Sequence, residues 1–170
     1  MTPLQTGLLG AGVVFLSLLS GCGFHLRTGA ELPAALTKAT YLESQDRYSG
    51  VAQELRIELR SAGAELTDDR ADASVLIRIL NEHFQRRVLS VGSAGRASEY
   101  ELFQEVTFAV EDPQGEVLLG PQTLRMTRDL VFDDTQLLGK VGEAEVIRRQ
   151  MQRDLARQIM TRIEVGMGQR

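Results

Sequence analysis

The stretch Ser98-Glu99-Tyr100-Glu101-Leu102-Phe103-Gln104-Glu105-Val106-Thr107-Phe108-Ala109-Val110 decides the fold. Tyr100, Leu102, Val106, Phe108 and Val110 fall on one side of an extended chain. Glu99, Glu101, Glu105 and Thr107 fall on the other, and this period of two marks a strand with one buried face. Immediately after it, Asp112-Pro113-Gln114-Gly115 carries proline and glycine where a type I turn wants them. The alternation then resumes, with Leu124, Met126, Leu130 and Phe132 against Thr123, Arg125, Thr127 and Asp129. Pro121 stands near the start of that strand and implies a break or bulge there. Upstream, Val75 to Val91 is rich in β-branched residues and is separated from the deciding stretch by the turn signal Gly92-Ser93-Ala94-Gly95. Three strands joined by tight turns form an antiparallel meander.

The flanks add two helices and one more strand. Lys38–Glu43 reads as a short strand. Val51, Leu55, Leu59 and Ala62 recur at helical spacing over residues 50–62, with Ser49 placed to cap the start and Gly63 to cap the end. Beyond Asp133, which forms a capping-box pattern with Gln136, a stripe of Leu137, Val141, Ala144, Ile147, Met151, Leu155, Ile159 and Ile163 predicts a long amphipathic helix. The expected architecture is an α+β, two-layer α/β sandwich in the order β-α-β-β-β-α. Its mixed four-stranded sheet carries two helices on one face. The other face, with Glu99, Glu101, Glu105, Arg125 and Thr127, is polar and has no layer over it.

Composition limits the chemistry. At 170 residues, 43% of them apolar and 25% charged, the chain suits one soluble-type domain and not a disordered one. A net charge of −4 argues against general nucleic-acid or anionic-membrane adsorption. One cysteine and two histidines leave no disulfide and no cysteine-based zinc site. No catalytic or nucleotide-binding motif occurs, so neither an enzyme nor a cofactor nor a metal is expected. His83, next to Glu82 in a strand, reads as an ordinary structural side chain. The Asp68-Asp69 and Asp133-Asp134 pairs read as turn and cap residues. Of the 19 basic residues, 17 are arginine, and from Lys140 to Arg162 six basic residues face three acidic ones. Arginine forks suit phosphate groups. Arg86, Arg87 and Arg96 flank the Gly92–Gly95 turn and lend that tip positive character.

The lone cysteine has a clear assignment. Gly7 to Leu19 is an apolar run of about 13 residues, the length of a signal-peptide core and short of the roughly 20 needed to cross a bilayer. It ends in Leu19-Ser20-Gly21-Cys22, the lipobox pattern: a branched apolar residue, two small ones that enter a peptidase cleft, and the thiol that accepts diacylglycerol. The segment before it, Met1 to Thr6, has no Lys or Arg and carries only its α-amino charge. Residues 1–21 are thus expected to be a lipoprotein signal peptide, and residues 22–170 a single domain with lipidated Cys22 at its mature N-terminus. Several acyl chains suffice for stable anchoring. Gly23 is not the aspartate that retains lipoproteins in the inner membrane, which favours the outer membrane, periplasmic side.

Several pieces then resemble one family. Gly21-Cys22-Gly23-Phe24-His25-Leu26-Arg27 is similar to the start of the mature LptE lipoproteins of lipopolysaccharide assembly. So are Gly95-Arg96 followed by Glu99-Tyr100, Arg128-Asp129 through Phe132-Asp133-Asp134, and Leu138-Gly139-Lys140. The Arg-rich helix Glu143–Ile163 completes the resemblance, which runs in order over nearly the whole chain. It implies a partner and plug for the large outer-membrane β-barrel LptD, delivering lipopolysaccharide to the outer leaflet without turnover. It further implies lipopolysaccharide contact through basic side chains. Lys140 matches one such position; the other falls in the turn, where this sequence has Ser93 with Arg96 three residues on. The rival reading is a periplasm-facing lipoprotein that scaffolds another envelope assembly or binds peptidoglycan, and it would not copurify with a barrel. The anchor is tested by metabolic labelling with a palmitate analogue: the native chain takes up label and Cys22→Ala does not, whereas equal labelling excludes acylation at Cys22.

Overall fold

Long strands need partners of matching length, and the three meander strands supply them to one another. In the computed structural model β3 (Val75–Val91), β4 (Ala97–Glu111) and β5 (Val117–Val131) run antiparallel in sequence. The structure describes residues 33, 36–45, 50–91, 97–131 and 137–168, without the side chains of residues 97 and 137–141. Ahead of the meander come β1 (Thr40–Ser44), α1 (Gly50–Ser61) and β2 (Leu66–Thr67); behind it comes α2 (Leu137–Gly168). The sheet order is β2-β1-β3-β4-β5, with β1 parallel to both of its neighbours.

The expected class and layering hold, and the strand count needs one correction. The sheet has five strands rather than four, because Leu66 and Thr67 pair with Thr40 and Tyr41. Two residues are too few to show a period, so this edge strand leaves no pattern in the sequence. The turns at Gly63 and at Asp112–Gly115 form as the sequence implies, while Gly92–Gly95 lies outside the described residues. Gly63 takes φ 93°, and the Ala64 amide donates to Leu59 O at 2.9 Å, closing α1 in a Schellman-type cap. At the β4–β5 turn the Gly115 amide donates to Asp112 O, and Asp112 Oδ1 accepts from the amides of Gln114 and Glu116. Asp69 caps a short 3₁₀ turn by accepting from the Ala71 amide at 2.8 Å. The register of β4 with β5 slips between Phe108 and Val110, opposite the segment that holds Pro121. Ser49, Asp133 and Gln136 lie outside the described residues.

One core binds both helices to a single sheet face. Val51, Ala52, Leu55 and Leu59 of α1 and Leu155, Ala156, Ile159, Met160 and Ile163 of α2 pack with Leu42, Val75, Ile77, Ile79, Val106, Phe108, Val110 and Leu124. At roughly 1.5–3 kcal/mol per fully buried large apolar side chain, this cluster is the main source of stability. Gly166 permits close approach of α2 to β5, since a Cβ there would stand 2.6 Å from Leu119 Cδ1.

A β-bulge at Leu80 changes which residues join that face. Ile79 pairs with Phe108 but Asn81 pairs with Thr107, so Leu80 is extra. Before the bulge odd-numbered residues of β3 face the helices; after it even-numbered ones do, beginning with Glu82 opposite Val106. Glu82 thereby reaches the start of α1. Its Oε1 accepts from Gln104 Nε2 at 3.1 Å and from the Val51 amide at 3.4 Å. A carboxylate there satisfies an otherwise orphaned helix amide and opposes the helix dipole. Gln104 is 0% exposed, and Gln152 of α2, 5% exposed, fills the space that a Cβ on Gly50 would need. Glu82→Ala strands the Gln104 amide and is expected to cost about 1–3 kcal/mol in urea unfolding. Glu82→Leu with Gln104→Leu removes the stranded side-chain amide and recovers part of that loss, the Val51 amide still lacking its acceptor.

Candidate functional site

The two layers differ in length. α1 spans about 18 Å for its 12 residues, whereas the 17-residue β3 spans about 56 Å. Beyond Glu82 the helix-side face of β3 therefore has no α1 above it. The 32-residue α2 continues over β4 and β5, where it helps to bury Leu102 and Leu130. Between α2 and the bare part of β3 lies a cleft of about 340 Å³, lined by Phe84, Arg86, Leu102, Ala144, Glu145 and Arg148.

Two cations border this cleft on aromatic supports. The Arg148 guanidinium lies 5.0 Å from the Phe84 ring centroid and that of Arg86 lies 4.8 Å from the Tyr100 ring. Such stacking holds a guanidinium in place while leaving in-plane N–H donors open. Arg148 shares Glu145 with Arg149 at 3.7 and 3.6 Å, and all three side chains are well exposed. Pairs of that kind are worth about 0–1 kcal/mol. Arg148 Nε is buried and has no acceptor among the described residues. Arg86 forms no ion pair among the described residues. At the far end of the sheet Val88, Leu89, Val91 and Val131 are each exposed by 53–61%.

The opposite sheet face is charged and carries several ion pairs. Arg78 Nη1 donates to both oxygens of Glu111 at 3.0 and 3.1 Å, and its Nη2 reaches Glu43 at 3.5 Å. Arg70 joins the other Glu43 oxygen at 3.0 Å. The Glu111 hydrogen bond, then the Glu43 charge, raise the Arg78 pKa above its ordinary value. A raised arginine keeps its stabilising charge below the unfolded pKa and loses it only at more alkaline pH, far above neutrality. Further along, Arg125 pairs with Glu105, Thr107 with Thr123, and Arg87 with Glu101. Arg87 also covers Phe103, which packs against His83 at 6.4 Å between ring centroids.

Arg86 and Arg87 do not act together. They are adjacent in a strand and point to opposite faces. Of the residues singled out from the sequence, Cys22, Ser93 and Arg96 lie outside the described residues. Lys140 lies within α2, its side chain outside the description. The cleft residues Phe84 and Arg148 were not anticipated. Phe84 sits two positions from Glu82, so only the Leu80 bulge reveals which way it points. No cluster of three or more His, Cys, Asp or Glu able to hold a metal occurs among the described residues. No helix among them is long and apolar enough to cross a membrane.

Comparison with known proteins fits this geometry. The profile of the family described as "LptE: Lipopolysaccharide-assembly" matches residues 37–163. The LPS-assembly lipoprotein LptE of Photorhabdus laumondii is 29% identical over 158 residues, covering 93% of this chain and 84% of its own. The protein of the same name from Yersinia pestis (strain Pestoides F) is 31% identical over 160 residues, covering 93% and 74%. Among solved structures, lipoprotein B from Nitrosomonas europaea superposes with a TM-score of 0.68 at 27% identity, covering 84% of this chain and 90% of that one.

Proposed function

Because the chain belongs to the LptE family of lipopolysaccharide assembly, we propose that it is a Cys22-anchored lipoprotein of the outer membrane, facing the periplasm. There it partners and plugs the LptD β-barrel and helps to pass lipopolysaccharide to the outer leaflet. It is a binding module without turnover. The observation that carries the plug reading is the uncovered sheet face. It is polar and carries several ion pairs, from Arg70–Glu43–Arg78–Glu111 to Arg125–Glu105 and Arg87–Glu101. A face of that kind stays hydrated and suits the polar lumen of a barrel better than lipid.

Lipopolysaccharide contact is the second part of the reading. Lys140 matches one of the basic positions that the family resemblance points to; at the other this sequence has Ser93, and Arg96, three residues on, is the basic side chain we assign to that turn. Cations there replace divalent ions on the lipid A phosphates and keep the glycolipid dispersed. Both parts are open to direct tests. Affinity purification from detergent-solubilised outer membranes is expected to bring down one stoichiometric, heat-modifiable barrel of much larger mass. Recovery of the lipoprotein alone would favour the scaffold or peptidoglycan reading. Lys140→Asp is expected to weaken lipopolysaccharide binding with no change in melting temperature, and unchanged binding would leave the plug role alone.

A further inference from the structure

We propose that the cleft between β3 and α2 seats one acyl chain of a phosphorylated glycolipid, with a phosphate of the same molecule held by Arg86 and Arg148. The inference rests on the lipopolysaccharide reading above and adds to it a site for the apolar part of the ligand. Its floor is Phe84, Leu102 and Ala144, and its border is cationic. That combination suits an amphiphile. A free inorganic anion would leave the apolar floor unused, and an uncharged lipid would leave the buried Arg148 Nε unsatisfied.

Size and charge narrow the ligand further. A volume of about 340 Å³ is near the lower end of the roughly 300–1,000 Å³ typical of ligand pockets. It accommodates a single chain and not the whole of a multiply acylated lipid. Glu145 is the one acidic lining residue and faces three local cations, Arg86, Arg148 and Arg149. The local surplus is positive even though the protein as a whole carries −4. Each lining guanidinium rests on a ring, so it enters binding already oriented, and little side-chain entropy remains to be lost. The exposed Val88, paired with Tyr100 on the same sheet face, extends the apolar surface past Arg86.

The test uses the full chain in living cells. A photo-crosslinking p-benzoyl-phenylalanine replaces Phe84, and in separate strains Lys140 or the exposed Ile57 of α1. The expected result is an ultraviolet-dependent product at position 84 that reacts with antibody to lipopolysaccharide, with none at position 57. Arg86→Ala with Arg148→Ala lowers the yield about tenfold, the scale of losing charge-assisted hydrogen bonds. Ala144→Trp, which fills the cleft, lowers it as much. Arg86→Lys with Arg148→Lys retains part of the yield and, with an unchanged melting temperature, shows that the alanine variants do not act by unfolding. A product at 140 but not at 84 overturns the cleft while sparing the lipopolysaccharide reading; a product at neither overturns both. Undiminished yield in the alanine pair or in Ala144→Trp, or a product containing glycerophospholipid only, also overturns the cleft assignment.

Discussion

The bulge at Leu80 is the constraint on which most of the molecule's organisation depends. One additional residue in β3 reverses the strand's alternation, so that Ile77 and Ile79 face the helices before it and Glu82, Phe84 and Arg86 do so after it. The proximal half is consequently a dry core. The distal half is amphiphilic on the same side of the sheet. Glu82 marks the boundary, a carboxylate used to start a helix at the place where α1's cover of the strand begins. Without the added residue, Asn81, His83 and Gln85 would face α2, and the helix side would offer no aromatic support for Arg148.

The two sheet faces solve different electrostatic problems. On the open face, several carboxylates find arginines across the strands, as Glu105 does with Arg125 and Glu101 with Arg87, although Glu101 also stands opposite Asp129. On the helix side, Arg86 and Arg148 rest on Tyr100 and Phe84 instead of on carboxylates. A protein with net negative charge thus sets two of its cations beside apolar surface. Arg157 of the last helix and Arg128 of β5, by contrast, are both turned to Asp154.

Much of the fold was legible because local chemistry and tertiary position agree. The alternation from Tyr100 to Val110, the proline and glycine of the Asp112 turn, the capping Gly63 and the stripe through Met151, Leu155 and Ile159 each state a structure that packing then preserves. The short β2 and the Leu80 bulge were not legible, since neither two paired residues nor one inserted residue has a period. Gln104 illustrates the limit well. It lies on the apolar side of the deciding strand and is fully buried, yet its partner Glu82 is distant in sequence and assigned to that side only by the bulge. The cleft was hidden for the same reason. Phe84 and Arg148 belong to different elements, and the space between them exists because α1 is shorter than the strand beneath it. Cys22, Arg96 and Lys140 rest on motif and family likeness, which pairing and burial do not address.

The placement of β1 has a mechanical consequence. Although it is the first strand among the described residues, it lies inside the sheet, bonded to β2 on one side and to β3 on the other, parallel to both. A pull arriving from the N-terminus along the strand axis loads those hydrogen bonds together in shear instead of opening them one at a time. Leu42, buried beneath α1, adds packing that must slide before the strand can leave. The first strand of the described sheet thus resists being peeled away one hydrogen bond at a time.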